Sequence, residues 1–84
     1  MNLSAEIERR LTTAFSPVEL VVENESHRHA GHAGDDGSGE SHFRLRIRAD
    51  RLAGMSRIDR HRAVHAALGS DITGRIHALA IDAG

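Results

Sequence analysis

Four of the seven histidines, His27, His29, His32 and His42, lie in or beside one glycine-rich stretch, residues 25–41. Imidazole is the commonest metal-binding side chain and titrates near neutral pH. His27 and His29 have the spacing of a zinc half-site, and Asp35 and Asp36 offer oxygen ligands. A solvated hairpin loop that happens to be rich in histidine has the same composition. Residue types and spacing leave both readings open. Catalysis is not expected. There is no nucleophile–base pair at recognisable spacing, and a glycine-rich loop has no neighbouring groups to hold a reactive geometry. His61 and His65 fall on the apolar arc of a helix and read as partly buried histidines with hydrogen-bond partners. His77 falls in the last strand, where an isolated histidine is ordinarily structural.

The elements that must position these residues follow from periodicity. Leu3, Ile7, Leu11 and Phe15 recur every four residues with charged residues between them, which predicts an amphipathic helix. Pro17 stops it, since proline biases Ser16 away from helix. Val18 to Asn24 is β-branched and predicts a strand with Val18, Leu20 and Val22 on one face. The loop 25–41 comes next. It is longer than the 12–15 or so residues beyond which a connection is usually functional or disordered. Phe43, Leu45, Ile47 and Ala49 then alternate with Arg44, Arg46 and Arg48, the pattern of a strand with one buried face. The arginine face is expected to pair with Glu19 and Glu23. Asp50 to Met55 reads as a turn with Gly54 as its flexible point. Ser56 and Asp59 resemble a capping box at the start of a second helix. Along that helix Ile58, His61, Val64, His65 and Leu68 share one arc, and Gly69 ends it. Ser70 to Thr73 reads as one further helical turn. Arg75 to Asp82 reads as the last strand. A right-handed crossover then sets this strand parallel to the second. The expected architecture is an α+β sandwich, αββααβ, with helices on one face of a three-stranded mixed sheet.

The totals exclude several function classes. Eighty-four residues make one small domain, 1–84, with a modest core. Eleven basic residues, all arginine, oppose twelve acidic ones, for a net charge of −1. That balance gives little long-range attraction to nucleic acid. With Phe15 and Phe43 the sole aromatics, stacking platforms for single-stranded bases are missing. The absence of cysteine excludes disulfides, thiol catalysis and any cluster held by the chain's own thiolates. It fits a reducing compartment. No apolar run is long enough to span a bilayer and no signal-peptide pattern is evident, so a cytoplasmic protein without membrane contact is expected.

Several segments carry a family resemblance. The run from Asn24 to Gly34, with His27, His29 and His32, and the run Gly39-Glu40-Ser41-His42-Phe43 resemble the long loop and second strand of BolA proteins. Arg51-Leu52-Ala53-Gly54-Met55 resembles that family's turn, with Leu52 where phenylalanine is common. Arg60-His61-Arg62 with Val64 and Leu68 resembles its second helix, and Ile76-His77-Ala78-Leu79 its last strand. The resemblance spans essentially the whole chain. It implies a fold like the class II KH domain, in agreement with the element order above. It does not imply RNA clamping, because no Gly-x-x-Gly stands at the turn around Gly54.

The resemblance implies two roles. The first is a non-enzymatic adaptor that binds a monothiol glutaredoxin and shares a [2Fe–2S] cluster, in cluster assembly, trafficking or iron homeostasis. Histidine can replace cysteine on one iron of such a cluster, so a cysteine-free chain can contribute only imidazole. The thiolates would come from glutaredoxin and glutathione, and the chain alone would hold no cofactor. Carried over by position, the ligands are His77 and His29, with His27 and His32 as loop alternatives. The second role is a DNA-binding transcriptional regulator of stress response or morphology. Its reader would be the helix–turn–helix-like segment 56–73, with Arg57, Arg60 and Arg62 as contacts to promoter DNA and Arg75 nearby. The chain alone is expected to be a monomer or a weak homodimer.

Overall fold

The computed structural model describes residues 3–25 and 42–84. Helix α1 (Leu3–Phe15) buries Leu3, Ile7, Leu11 and Phe15, the stripe its four-residue spacing dictates. The Ser16 N–H donates to the Thr12 carbonyl at 2.9 Å, and Ser16 takes φ 45°. The chain therefore leaves the helix before Pro17, as expected, through a left-handed residue at its C-terminus.

Strands β1 (Glu19–Asn24) and β2 (His42–Arg48) pair antiparallel, Glu19 opposite Arg48 through Asn24 opposite Phe43. Strand β3 (Ala78–Ala83) runs parallel to β2, from His42 opposite Ala78 to Ile47 opposite Ala83. The sheet order β1-β2-β3 is the mixed α+β topology expected from the sequence. Phe43, Leu45 and Ile47 point into the core and are almost fully buried. Arg44 and Arg46 point to solvent, each 3.5 Å from a carboxylate. The partner of Arg46 is Glu19, as the alternation suggests, whereas that of Arg44 is Glu25 rather than Glu23.

Three helical segments connect β2 to β3. Asp50 to Met55 is more than a turn: Asp50–Ala53 forms a one-turn helix, α2, which buries Leu52 completely. Gly54 does not need to be glycine there. Its φ is −91°, and nothing lies within 4 Å of where a Cβ would stand. Helix α3 (Arg57–Leu68) starts as expected, with Ser56 Oγ accepting from the Asp59 N–H at 3.2 Å. Its buried stripe is rotated from the expected arc. Val64 and Leu68 are buried and Ala63 and Ala67 pack against the core, but Ile58 is 63 % exposed, His61 half-buried and His65 exposed. The small alanines and Arg60 take the inner face. The Arg60 guanidinium donates to the carbonyls of Leu52 (3.0 Å), Ala53 (3.3 Å) and Ala83 (3.3 Å), which holds α3 against α2 and the end of β3. Gly69 ends α3 at φ 85°, and α4 (Ser70–Thr73) is the expected single turn.

The last strand begins three residues later than its sequence suggests. Leu79, Ile81 and Ala83 face the core half-buried, while Ala78 and Ala80 are exposed. His77 therefore lies outside the strand, in the bend before it, and the pleat does not set its direction.

Candidate functional site

The sheet register builds one corner of the molecule from three chain segments. β1 ends at Asn24, and the following Glu25 N–H donates to the carbonyl of His42 at 2.8 Å. His42 opens β2 and stands opposite Ala78, the first residue of β3. His77 precedes Ala78, which brings its ring to 5.2 Å from the His42 ring, centroid to centroid, at a tilt of 52°. The two ends of the segment 25–41 and the approach to β3 thus meet at the same end of the sheet.

The two imidazoles differ in environment. His42 is 7 % exposed and is the sole buried polar residue among those described. No fully buried side-chain nitrogen or oxygen among the described residues lacks a hydrogen-bond partner. His77 is exposed. Among the described residues, the corner therefore presents one accessible imidazole, set beside a buried one. His42 is also the ring against which His77 leans. Parallel register is a long-range property, and no local pattern around either histidine encodes it. The remaining ligand positions suggested by the sequence, His27, His29 and His32, lie outside the described residues, as do Asp35 and Asp36.

This donor set decides what the corner can hold. The chain has no thiol, and no group of three or more His, Asp or Glu suited to a metal exists among the described residues. Among the described residues, the corner can supply imidazole to a centre whose other ligands come from elsewhere. A Rieske-type histidine contribution to an iron–sulfur cluster fits that arrangement.

The second candidate surface is the outer side of α3. Arg57, Ile58, His61, Arg62 and His65 line a shallow hollow. Arg57, Arg62 and, beyond α4, Arg75 are exposed; Arg62 stands 4.0 Å from Asp59. Arg60 does not join them. Its fork is committed to three backbone carbonyls, which makes it a brace within the fold. Arg10 plays a comparable part that the sequence did not reveal. It donates to both carboxylate oxygens of Asp71 at 2.8 and 2.9 Å, to Glu6 at 3.0 Å and to the Leu68 carbonyl.

Comparison with known proteins shows what the chain as a whole is similar to. Residues 11–84 match the family model described as BolA-like protein. A Sinorhizobium protein described as an uncharacterized protein in the cobS 5' region is 49% identical over 98% of this chain and 89% of its own length. The Escherichia coli DNA-binding transcriptional regulator BolA is 38% identical over 96% of this chain and 73% of its own. The chain spans about half of some longer relatives, 56% of human BolA-like protein 1 at 46% identity. Among solved structures, BolA1 from Arabidopsis thaliana superposes with a TM-score of 0.83 at 36% identity, covering 99% of this chain and 90% of that one.

Proposed function

Since this chain belongs to the BolA family, we propose that it is a non-enzymatic adaptor that docks a monothiol glutaredoxin and shares a [2Fe–2S] cluster with it through histidine. His77 is one ligand, and a histidine of the segment 25–41, His29 ahead of His27 and His32, is the second. The observation that carries this reading is the meeting of His77 with both ends of that segment at one corner of the sheet. Glu25, from which the chain runs on to His27, His29 and His32 in sequence, stands at the same corner as the exposed His77 ring. With no cysteine in the chain, glutaredoxin and glutathione supply the thiolates, and neither partner's surface alone completes the ligand set. Imidazole ligands raise the potential of such a cluster relative to an all-thiolate one, and they bind only when deprotonated, so sharing is favoured at neutral over acidic pH.

Anaerobic reconstitution with a monothiol glutaredoxin and glutathione tests the reading. Visible circular dichroism of the purified heterocomplex should differ from that of the glutaredoxin homodimer. His77→Ala should weaken or spectrally alter the shared cluster while leaving the far-ultraviolet spectrum of the chain unchanged, since His77 is exposed and outside the strand. An unaltered cluster spectrum in that variant would remove His77 from the ligand set, and failure of any complex to form would remove the adaptor role.

A second reading, DNA binding, is favoured by the name of the Escherichia coli relative and by three exposed arginines on and beyond α3. In it Arg57, Arg62 and Arg75 contact phosphates or guanine edges, with Arg60 bracing the helix that carries the first two.

A further inference from the structure

Strand β3 is an edge of the sheet, and its backbone shows which of its groups are committed. The Gly84 N–H donates to the Ile47 carbonyl at 3.0 Å, and the Gly84 carbonyl accepts from the Ala49 N–H at 3.2 Å. Bonding direction alternates along a strand. Ala78, Ala80 and Asp82 therefore turn their backbone groups toward β2, as Gly84 does. Leu79, Ile81 and Ala83 turn theirs to the open side. The Ala83 carbonyl on that side is occupied by the Arg60 guanidinium. Among the described residues, Leu79 and Ile81 each keep an N–H and a carbonyl without a partner in the sheet.

The sequence and register of this edge lack several of the usual protections. Ala78-Leu-Ala-Ile-Asp-Ala83 has no lysine and no proline, and its register against β2 runs without a bulge. Its one charge, Asp82, is held by Arg48 at 2.9 Å within the same sheet. The opposite edge differs. Glu19, Val21 and Glu23 share the exposed face of β1, so an antiparallel pairing of β1 with itself about Val21 would set Glu19 directly against Glu23 in both halves.

We propose that the open edge of β3 is a self-complementary docking surface whose occupant is β3 of a second copy of this chain. Antiparallel pairing centred on Ala80 sets Leu79 of each copy opposite Ile81 of the other. Each such pair exchanges two hydrogen bonds, so the four open groups of one copy meet the four of the other. The contact is two-fold symmetric and closed, joining two three-stranded sheets into one of six strands. On the exposed face Ala80 meets Ala80, and Ala78 meets Asp82, so no like charges oppose one another. The same pairing sets His77 opposite Ala83 of the second copy. Self-association and glutaredoxin docking then compete for one end of β3; this last consequence rests on the ligand reading of His77.

Sedimentation of the untagged chain alone, from about 10 μM to about 1 mM, spans the affinities expected of a small interface. A concentration-dependent dimer is expected. The Leu79 and Ile81 amides should become more protected from hydrogen exchange as the dimer fills. Ala80→Glu should weaken the dimer roughly fivefold or more by setting two carboxylates against each other. It should leave the monomer folded, because the new carboxylate lies across from Arg44 in its own sheet. An equimolar mixture of Ala80→Glu and Ala80→Lys should restore association. A monomer at every concentration overturns the proposal, as does a dimer in which the Leu79 and Ile81 amides stay unprotected and Ala80→Glu changes nothing. Neither result touches the glutaredoxin reading, because no partner protein is present.

Discussion

Arg10 shows how one side chain on a helix surface can join elements far apart in sequence. Its guanidinium holds Asp71 in a two-point ion pair and reaches Glu6 and the Leu68 carbonyl, tying α1 to the end of α3 and to α4. The Asp71 carboxyl is held at about 2, below its ordinary 3.8, by its hydrogen bonds from Arg10. Glu6 is held at about 2, below its ordinary 4.5, by hydrogen bonds from Arg9 first and Arg10 second. Both carboxyls are thus depressed in the folded state. The stability they contribute is present above about pH 4.5 and is lost as pH falls toward about 2. These pairs are solvent-exposed at Arg9 and Asp71, so the contribution is modest and screened by salt. Thermal melts of the native chain should hold level from pH 7 to 5 and fall between about pH 4.5 and 2. Arg10→Gln should lower the midpoint by several degrees at pH 7 and flatten that acid fall. Parallel curves for the two proteins would show that Arg10 is not its source.

At the scale of elements, conformation decides which glycines matter. Gly69 sits at φ 85°, ψ 154°, a region that side chains avoid. A Cβ there would stand 2.8 Å from Asp71 Oδ1 and 3.1 Å from Arg10 Nη1. Gly69→Ala should therefore cost about 1–3 kcal/mol in denaturant unfolding. Gly54→Ala should be neutral or stabilise by up to about 1 kcal/mol, because its φ of −91° suits any residue and the space is open. Equal effects at the two sites would refute this assignment. The same contrast explains what the sequence could reveal. The stripe of α1, the alternation of β2 and the Ser56 cap are local patterns with local causes, and each is read from consecutive residues. The orientation of α3 was not legible, because Ile58 looks like a core residue and Ala63 and Ala67 do not. Arg60 takes the inner face instead, where it engages carbonyls of α2 and of the end of β3 that lie outside the helix's own pattern. The start of β3 was also hidden: Ile76 and His77 continue an apolar pattern, but pairing with β2 begins at Ala78. The corner of His42 and His77 depends on that pairing and was hidden with it.

At the scale of the whole molecule, charge separates the two readings of function. The net charge is −1, and most described arginines are already engaged. Arg44, Arg46 and Arg48 face carboxylates across the sheet, Arg9 and Arg10 hold Glu6 and Asp71, Arg51 lies over the Phe15 ring, and Arg60 braces backbone carbonyls. Arg57, Arg62 and Arg75 are what α3 and its surroundings leave for phosphate. Three phosphate contacts give a slope of about −3 for the logarithm of the binding constant against the logarithm of salt concentration. Binding to promoter DNA should therefore be weak at physiological salt and measurable at about 50 mM. Replacing Arg57, Arg62 and Arg75 with glutamine should bring the slope close to zero without lowering the melting temperature. Arg60→Gln should do the reverse, destabilising the domain and leaving the slope at about −3 in the fraction that stays folded. A wild-type slope much steeper than this would mean that a different surface carries the nucleic acid. The absence of any binding at low salt would remove the DNA reading and leave the corner at His77 as the functional end of the molecule.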